Sequence, residues 1–172
     1  IAIGYQAGYS LTTARYNVLI GDMAGYSLTT SSEGNENVMI GNMAGYSADA
    51  ATNAAHYNVY IGSDAGRYLD DGDSNVIIGR HAAKGSGTGN NATNHVIIGY
   101  EAGRDITTGD SNVLLGYQAG DNASTLGSSV GIGYQAMGGA TGSLLTGNNA
   151  TVAIGTQAWG YADGNTGNGV YV

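Results

Sequence analysis

One nine-residue phrase, Asn-Val-x-Ile-Gly-x-x-Ala-Gly, recurs down the whole chain and constrains its fold more than any other feature. The nine copies, the first of them truncated, occupy 1–8, 17–25, 37–45, 58–66, 75–83, 95–103, 112–120, 129–137 and 151–159. Four follow the phrase closely and the others loosely. A chain built from one repeated unit predicts stacked turns rather than a fold that surrounds a single pocket.

The distance between copies varies, whereas the motif keeps its length. Successive Ile-Gly steps (Leu-Gly in one copy) are 17 to 22 residues apart. Short connectors such as 67–74 have eight residues, and longer ones such as 46–57 and 138–150 have 12 and 13. A fixed element joined by variable loops is typical of stacked turns. We expect one repeat domain spanning 1–172, and a segment of a longer fibre protein because Ile1 opens inside a repeat.

The Val-x-Ile core of the motif predicts a short β-strand, with its two β-branched residues on one face. The middle position is also mostly apolar, as in Leu19, Met39 and Ile77. Strands that are apolar on both faces are typical of buried parallel sheets. A single thin turn buries one strand face inside itself, so the other must meet something else. The simplest candidate is a second copy of the chain, and we therefore expect an oligomer.

Two small residues recur in every copy of the motif. The glycine after Ile is present in all nine copies, which predicts a bend with positive φ or a close backbone approach. The alanine three residues later is also present in all nine, which predicts a tight packing column. The second glycine is replaced by Ala83, Met137 and Trp159, so that position is expected to be more tolerant.

Composition excludes several classes of function. The net charge of -8, from 13 acidic and five basic residues, argues against nucleic acid and against an anionic membrane surface. With no cysteine, disulfides and thiolate metal sites are excluded. No apolar run approaches the roughly 20 residues of a membrane span. Helical periodicity and capping are also lacking, so we expect almost no helix.

The motif resembles a known kind of repeat. Residues 151–158 read Thr-Val-Ala-Ile-Gly-Thr-Gln-Ala, and 112–120 read Asn-Val-Leu-Leu-Gly-Tyr-Gln-Ala-Gly. They resemble the head repeats of YadA-like trimeric autotransporter adhesins and the related repeats of phage tail fibres. The resemblance covers the whole chain and implies a parallel β-roll in which three chains form one left-handed prism. The connectors are longer than in typical adhesin heads, which leaves the parent protein open.

The combined expectation is an all-β fold, a parallel β-solenoid of about nine stacked coils in an intertwined homotrimer. At a strand spacing of ~4.8 Å, nine layers would form a rod of roughly 45 Å. The expected function is a non-catalytic structural segment of an adhesive or receptor-binding appendage, located on a cell surface or a virion tail. The alternatives are a bacterial adhesin head that binds host or matrix surfaces and a polysaccharide-cleaving tail spike. The expected partners are the chain itself and a cell-surface glycan or protein receptor, without nucleic acid or membrane insertion.

Candidate chemistry is sparse. His56, His81 and His95 lack metal-ligand spacing with one another, and His95 takes the Asn position of the motif, which favours a structural role. The aspartates within 70–73 lack a calcium-loop pattern and are interpreted as a solvated turn. We therefore predict no catalytic, cofactor-binding or metal-binding residues, and no cofactor.

Tyrosine is the most suggestive residue type. Tyr5, Tyr100, Tyr117 and Tyr134 follow Ile-Gly, whereas Tyr9, Tyr26 and Tyr46 follow Ala-Gly. Aromatic columns on a rod can contact sugar rings or partner side chains. The favoured interpretation is ladder packing between successive turns. If a receptor surface lies in this segment, the longer connectors 46–57 and 84–94 are the expected place for it.

Overall fold

The fold is known from a computed structural model, which describes residues 1–12, 15–28, 36–46, 55–70, 72–87, 90–138, 146–147, 150–159 and 169–172. Strands and turns make up the regular structure of these residues, and no helix occurs among them. The strands are β1 (Ala2–Ile3), β2 (Val18–Ile20), β3 (Val38–Ile40), β4 (Val59–Ile61), β5 (Val76–Ile78), β6 (Val96–Ile98), β7 (Val113–Leu115), β8 (Thr125–Leu126), β9 (Val130–Ile132), β10 (Thr146–Gly147), β11 (Thr151–Ile154) and β12 (Gly169–Tyr171).

Ten of these strands form one parallel sheet in the order β1-β2-β3-β4-β5-β6-β7-β9-β11-β12. The register follows the motif, so that Val18 pairs with Val38 and Ile20 pairs with Ile40 in the next turn. Strands β8 and β10 form a second, two-stranded parallel sheet on the connector side. Parallel strands joined by one connector per turn define a β-solenoid. The all-β, parallel solenoid prediction is confirmed.

The solenoid has about seven turns, so the expectation of nine coils is not supported. The first motif copy contributes only the two-residue strand β1 at the end of the stack. After the last copy, residues 160–168 lie outside the described part of the chain. The first and last motif copies therefore each contribute a strand to the sheet but not a fully described turn.

The middle residue of each motif strand faces the interior. Leu19, Tyr60 and Ile97 are fully buried, whereas Val96 and Ile98 on either side of Ile97 keep 36% and 38% of their surface exposed. Side chains alternate across a strand, so burying the middle residue places its two neighbours on the opposite face. The interior is thus built from the variable position of the motif. The recurrent Val and Ile lie outside it.

The glycine after Ile stacks on its equivalent in the next turn. Gly79 has φ of 137°, and a Cβ at this position would collide with the carbonyl oxygen of Gly99. A side chain is therefore prevented both by backbone conformation and by the neighbouring turn. The same two constraints apply at the other stacked positions from Gly4 to Gly133, which accounts for the unbroken glycine column.

The second glycine of the motif lies beside the middle residue of the strand. A Cβ on Gly66 would lie 2.8 Å from the ring of Tyr60, so the bulk of Tyr60 requires glycine at this position. Where the middle residue is Gly131, the second glycine is replaced by Met137, whose sulfur would lie 2.9 Å from a Cβ on Gly131. Met137 is fully buried despite its left-handed φ of 58°. The position tolerates alanine at Ala83 beside Ile77, as the sequence predicts, and at Met137 the exchange is compensated. The larger residue fills the space that the missing side chain leaves.

A column of buried polar side chains runs beside the strands. The Oδ1 atom of Asn37 accepts a hydrogen bond from the backbone N–H of Asn58 at 2.9 Å. The Nδ2 atom of Asn37 donates to the connector carbonyl of Ala55 at 2.7 Å. The column, which we call the asparagine ladder, contains Asn17, Asn37, Asn58, Asn75, His95, Asn112, Ser129 and Thr151. Its hydrogen bonds tie each strand to the next turn.

The connectors contribute a second apolar column, which the spacing of the motif copies did not predict. Leu28, Leu69, Ile106 and Ala123 each lie three residues after the second glycine of a motif and are buried. The backbone N–H of Leu69 donates to the carbonyl of Gly66 at 3.2 Å, and equivalent bonds recur in the other turns. Alignment of the connectors on the second glycine, rather than by total length, would have revealed this column.

Candidate interaction surfaces

The outward side chains of the motif strands form a continuous apolar surface, which we call the Val/Ile face. It contains no charged side chain and extends from β2 to β11. Its members are Val18, Ile20, Val38, Ile40, Val59, Ile61, Val76, Ile78, Val96, Ile98, Val113, Leu115, Val130, Ile132, Val152 and Ile154. Most are half-buried by neighbouring strands, and Ile154 is 42% exposed. A single chain therefore covers only one face of its strands, as the sequence predicts.

Two tyrosine ladders run along the solenoid. In the first, the ring of Tyr26 stacks between Tyr9 and Tyr46, with both centroid distances 5.0 Å and interplanar angles of 4° and 15°. Their nearly parallel faces cover one another. The interpretation of these residues as packing between successive turns is confirmed.

The second ladder lies further along the chain. Tyr117 stacks between Tyr100 and Tyr134 at centroid distances of 5.3 and 5.2 Å, with interplanar angles of 10° and 4°. Tyr5 shares the motif position of these residues, but the next turn carries Asp22 there, which interrupts the column. Sequence position therefore identified both ladders and also included one tyrosine that lies apart.

An arginine continues each tyrosine column. The guanidinium carbon of Arg67 lies 5.6 Å from the ring centroid of Tyr46, and that of Arg80 lies 5.8 Å from the centroid of Tyr100. Both distances are within the range of a cation–π interaction, which at exposed sites contributes about 0.5–1 kcal/mol. The arginines occupy the same motif positions as the tyrosines that they contact. Each column of tyrosine rings is thus extended by a positively charged guanidinium group.

A polar ladder runs beside the second tyrosine ladder. Gln118 donates to the carboxylate of Glu101 at 2.8 Å, Gln135 donates to Gln118 at 2.9 Å, and Gln157 donates to Gln135 at 3.1 Å. The hydrogen bond from Gln118 is the largest cause that lowers the pKa of Glu101. These residues all precede the motif alanine, where the backbone is left-handed, with φ of 51° to 55°. One repeated backbone geometry therefore aligns the amides.

His81 continues this polar column between two carboxylates. Its Nε2 atom lies 3.4 Å from Asp64 and its Nδ1 atom lies 3.6 Å from Glu101. Arg67 and Arg104 pair with these same carboxylates at 2.8 and 3.3 Å. Within the described part of the chain, no group of three or more His, Cys, Asp or Glu residues is arranged to hold a metal ion. The arrangement is two ion pairs, each within one turn, with the imidazole of His81 lying between their carboxylates in the neighbouring turns.

His95 belongs to the asparagine ladder. Its Nδ1 atom accepts a hydrogen bond from the backbone N–H of Asn112 at 3.1 Å, which requires the neutral tautomer with the proton on Nε2. Burial lowers the pKa of His95 to about 4, and Asp110 and the backbone of Gly109 partly oppose this effect. The structural role predicted for His95 fits this position.

The acidic cluster at 70–73 is not a fully solvated turn. Asp70 is 2% exposed, and Asp73 accepts a hydrogen bond from the backbone N–H of His56 at 2.8 Å. Asp71 lies outside the described residues. The prediction of a solvated turn is therefore wrong for Asp70, because the connector on which it lies packs against the next turn through a parallel bridge between Leu69 and Asn90.

The longer connectors are only partly described. Residues 47–54 of the 46–57 connector and 88–89 of the 84–94 connector lie outside the described residues. The prediction that receptor recognition lies there stays a prediction. No helix within the described ranges is long and apolar enough to cross a membrane.

Comparison with known proteins gave no relative for this chain. No protein-family model, curated protein or solved structure matches it. The functional argument therefore depends on the surfaces described above.

Proposed function

We propose that this chain is a structural segment of an extracellular receptor-binding fibre, of the kind found in phage tail fibres, in which three copies pack through their Val/Ile faces. The observation that carries the proposal is the Val/Ile face. Two apolar side chains per turn remain partly exposed along the stack, and Val96 and Ile98 keep 36% and 38% of their surface. Monomeric soluble proteins rarely expose continuous apolar surfaces of this extent.

The regular spacing of the face favours a second copy of the same chain as its partner. Each turn repeats at the parallel strand spacing of ~4.8 Å, and the motif places the same side chains in each layer. Another chain with the same repeat presents ridges and gaps at the same spacing. The resemblance of the motif to YadA-like and tail-fibre repeats supports three chains rather than two.

The oligomeric state tests this proposal directly. We expect multi-angle light scattering of the purified chain to give three times the mass of one protomer. A folded monomer would overturn the proposed packing. A stable dimer would retain the face as an interface and reject the trimer.

Charge substitutions test whether the Val/Ile face forms the interface. Val96→Asp and Ile98→Asp each place a carboxylate on the face without changing the interior residue Ile97, and both should dissociate the oligomer because burying an unpaired carboxylate is costly. Asn91→Asp adds the same charge at an exposed connector position and serves as the matched control. Dissociation of all three variants, or of none, would contradict the proposed interface.

The biological setting is the second part of the proposal. A bacterial trimeric adhesin head is the alternative parent, and a polysaccharide-cleaving tail spike is the second alternative. A C-terminal β-barrel anchor in the full-length gene would favour the adhesin, whereas a tail-attachment or chaperone domain would favour the phage fibre. Cleavage of a host polysaccharide by the purified trimer would favour the tail spike.

A further inference from the structure

The tyrosine ladders hold oxidisable side chains in register. The chain contains 13 tyrosines and no cysteine, so phenol chemistry is available for covalent cross-linking and disulfide chemistry is not. Four ring pairs stack with centroids 5.0–5.3 Å apart and interplanar angles of 4–15°. Each pair joins residues of successive turns. A bond within a pair would therefore join one turn covalently to the next.

The backbone fixes these pairs before any reaction takes place. Beside the second ladder, the N–H of Gln118 donates to the carbonyl of Tyr100 at 2.8 Å, and the N–H of Gln135 donates to the carbonyl of Tyr117 at 2.8 Å. Groups held next to each other react with an effective concentration far above that of free molecules. Neighbouring rings should therefore couple more readily than tyrosines that meet by diffusion.

The ladders are also accessible to an oxidant. Tyr100, Tyr117 and Tyr134 are 37%, 43% and 48% exposed, and Tyr9 is 64% exposed, whereas Tyr26 and Tyr46 are partly exposed. The rings therefore combine two properties that oxidative coupling requires, which are close pairing and access from solvent.

We propose that the two ladders are sites of dityrosine formation by a one-electron oxidant, such as a peroxidase or a photogenerated metal complex. Each of two neighbouring phenols transfers one electron to the oxidant and loses its hydroxyl proton to water. The two radicals join through one ortho carbon of each ring. The hydrogens on those carbons then return to the two oxygens and restore both aromatic rings. The product is lighter by two hydrogen atoms, and two equivalents of oxidant are reduced.

The test is photo-oxidation of the folded full chain with tris(bipyridine)ruthenium(II) and persulfate, followed by peptide mass spectrometry. We expect links between Tyr9 and Tyr26, Tyr26 and Tyr46, Tyr100 and Tyr117, and Tyr117 and Tyr134. Tyr5, Tyr16 and Tyr57 are 68%, 75% and 59% exposed and stand outside the ladders, so they should give few links. Links that follow exposure instead of ladder membership would overturn the proposal.

One conservative variant and one control sharpen this test. Tyr117→Phe retains the stacked ring but removes the phenol, so it should abolish both links of the second ladder and leave those of the first. Tyr57→Phe removes a phenol outside the ladders and should leave all four links intact. An unchanged link pattern in Tyr117→Phe would reject the assignment.

A mixture of nitrogen-15-labelled and unlabelled chains distinguishes links within a chain from links between chains. The proposal requires links within one chain, so ladder links that mainly join labelled to unlabelled peptides would overturn it. This outcome is independent of the oligomeric state, because a trimer with links inside each chain and a monomer with the same links both support the proposal. Linked protein should also show a higher melting temperature than unlinked protein, since each bond closes a loop between adjacent turns.

Discussion

His95 and Asn112 show how the solenoid accommodates an exception to its own motif. The Nδ1 atom of His95 accepts a hydrogen bond from the backbone N–H of Asn112 at 3.1 Å, whereas the side-chain carbonyl oxygen is the acceptor at the asparagine positions of the ladder. The ring is fully buried, so it fulfils this role only while neutral.

Because the ring of His95 must stay neutral, we expect the protein to lose stability in acid. The folded-state pKa of His95 is about 4, below the ordinary value of about 6.5, so the unfolded chain binds the proton more tightly between these values. The contribution of His95 to the free energy of unfolding is fully present above pH 6.5. It is lost as the pH falls toward 4, by about 3 kcal/mol in total. Denaturant unfolding of wild type and His95→Asn at pH 7 and pH 4 would measure it. Asparagine restores the ladder without a titrating ring, so the variant should lack this component. Equal pH dependence of the two proteins would contradict the prediction.

The stacked glycine column predicts a strong dependence on position for the same substitution. Gly79→Ala should reduce the free energy of unfolding by about 4 kcal/mol or more, or prevent folding, because the new Cβ collides with the backbone of Gly99 at a φ of 137°. Gly87 also has a positive φ, of 78°, but a Cβ there would meet no atom within 4 Å. Gly87→Ala should therefore cost only about 1 kcal/mol of backbone strain. Similar losses in the two variants, measured by thermal or denaturant unfolding, would show that the close stacking is not the cause.

Met137 fills the space that the missing side chain of Gly131 leaves. We therefore expect mutations at these two positions to have non-additive effects on the free energy of unfolding. Met137→Gly should leave a cavity and cost about 2–5 kcal/mol, partly offset by relief of its left-handed backbone. Gly131→Leu should overpack against the sulfur of Met137 and cost about 1–3 kcal/mol. The double variant recreates the Leu114 and Gly120 arrangement of the preceding turn, so we expect its stability to lie within about 1 kcal/mol of wild type.

A double-mutant cycle by denaturant unfolding measures this coupling. The natural arrangement in the preceding turn provides the reference, because a Cβ on Gly120 would lie 2.8 Å from Leu114. Additive costs in the double variant would mean that the two positions do not share one space.

Much of the architecture followed from the recurrence of the motif. The strands at Val-x-Ile, the parallel sheet and the glycine column all appear where the copies place them, because each copy repeats the same local backbone requirement. The tyrosine ladders were also predictable, since equal motif positions lie above one another once the turns stack.

Other features needed the position of one turn against the next. The asparagine ladder depends on hydrogen bonds between residues about one turn apart, such as Asn37 and Asn58, and the sequence shows only that these residues recur. The burial of Asp70 depends on a bridge between connectors of different turns. Such contacts are not local, so periodicity alone does not assign them.

The repeated motif is enough to establish that each turn contains a short strand that is apolar on both faces and a bend that only glycine can form. Which of the two faces is buried depends on how the turn closes in three dimensions. Because side chains alternate along a strand, Val113 and Leu115 lie on the face opposite to that of Leu114. All three residues are apolar, so this symmetric pattern does not show which of the two faces is buried. The connector breaks this symmetry, since closing the turn with its own apolar column encloses the middle residue and leaves the recurrent Val and Ile outside.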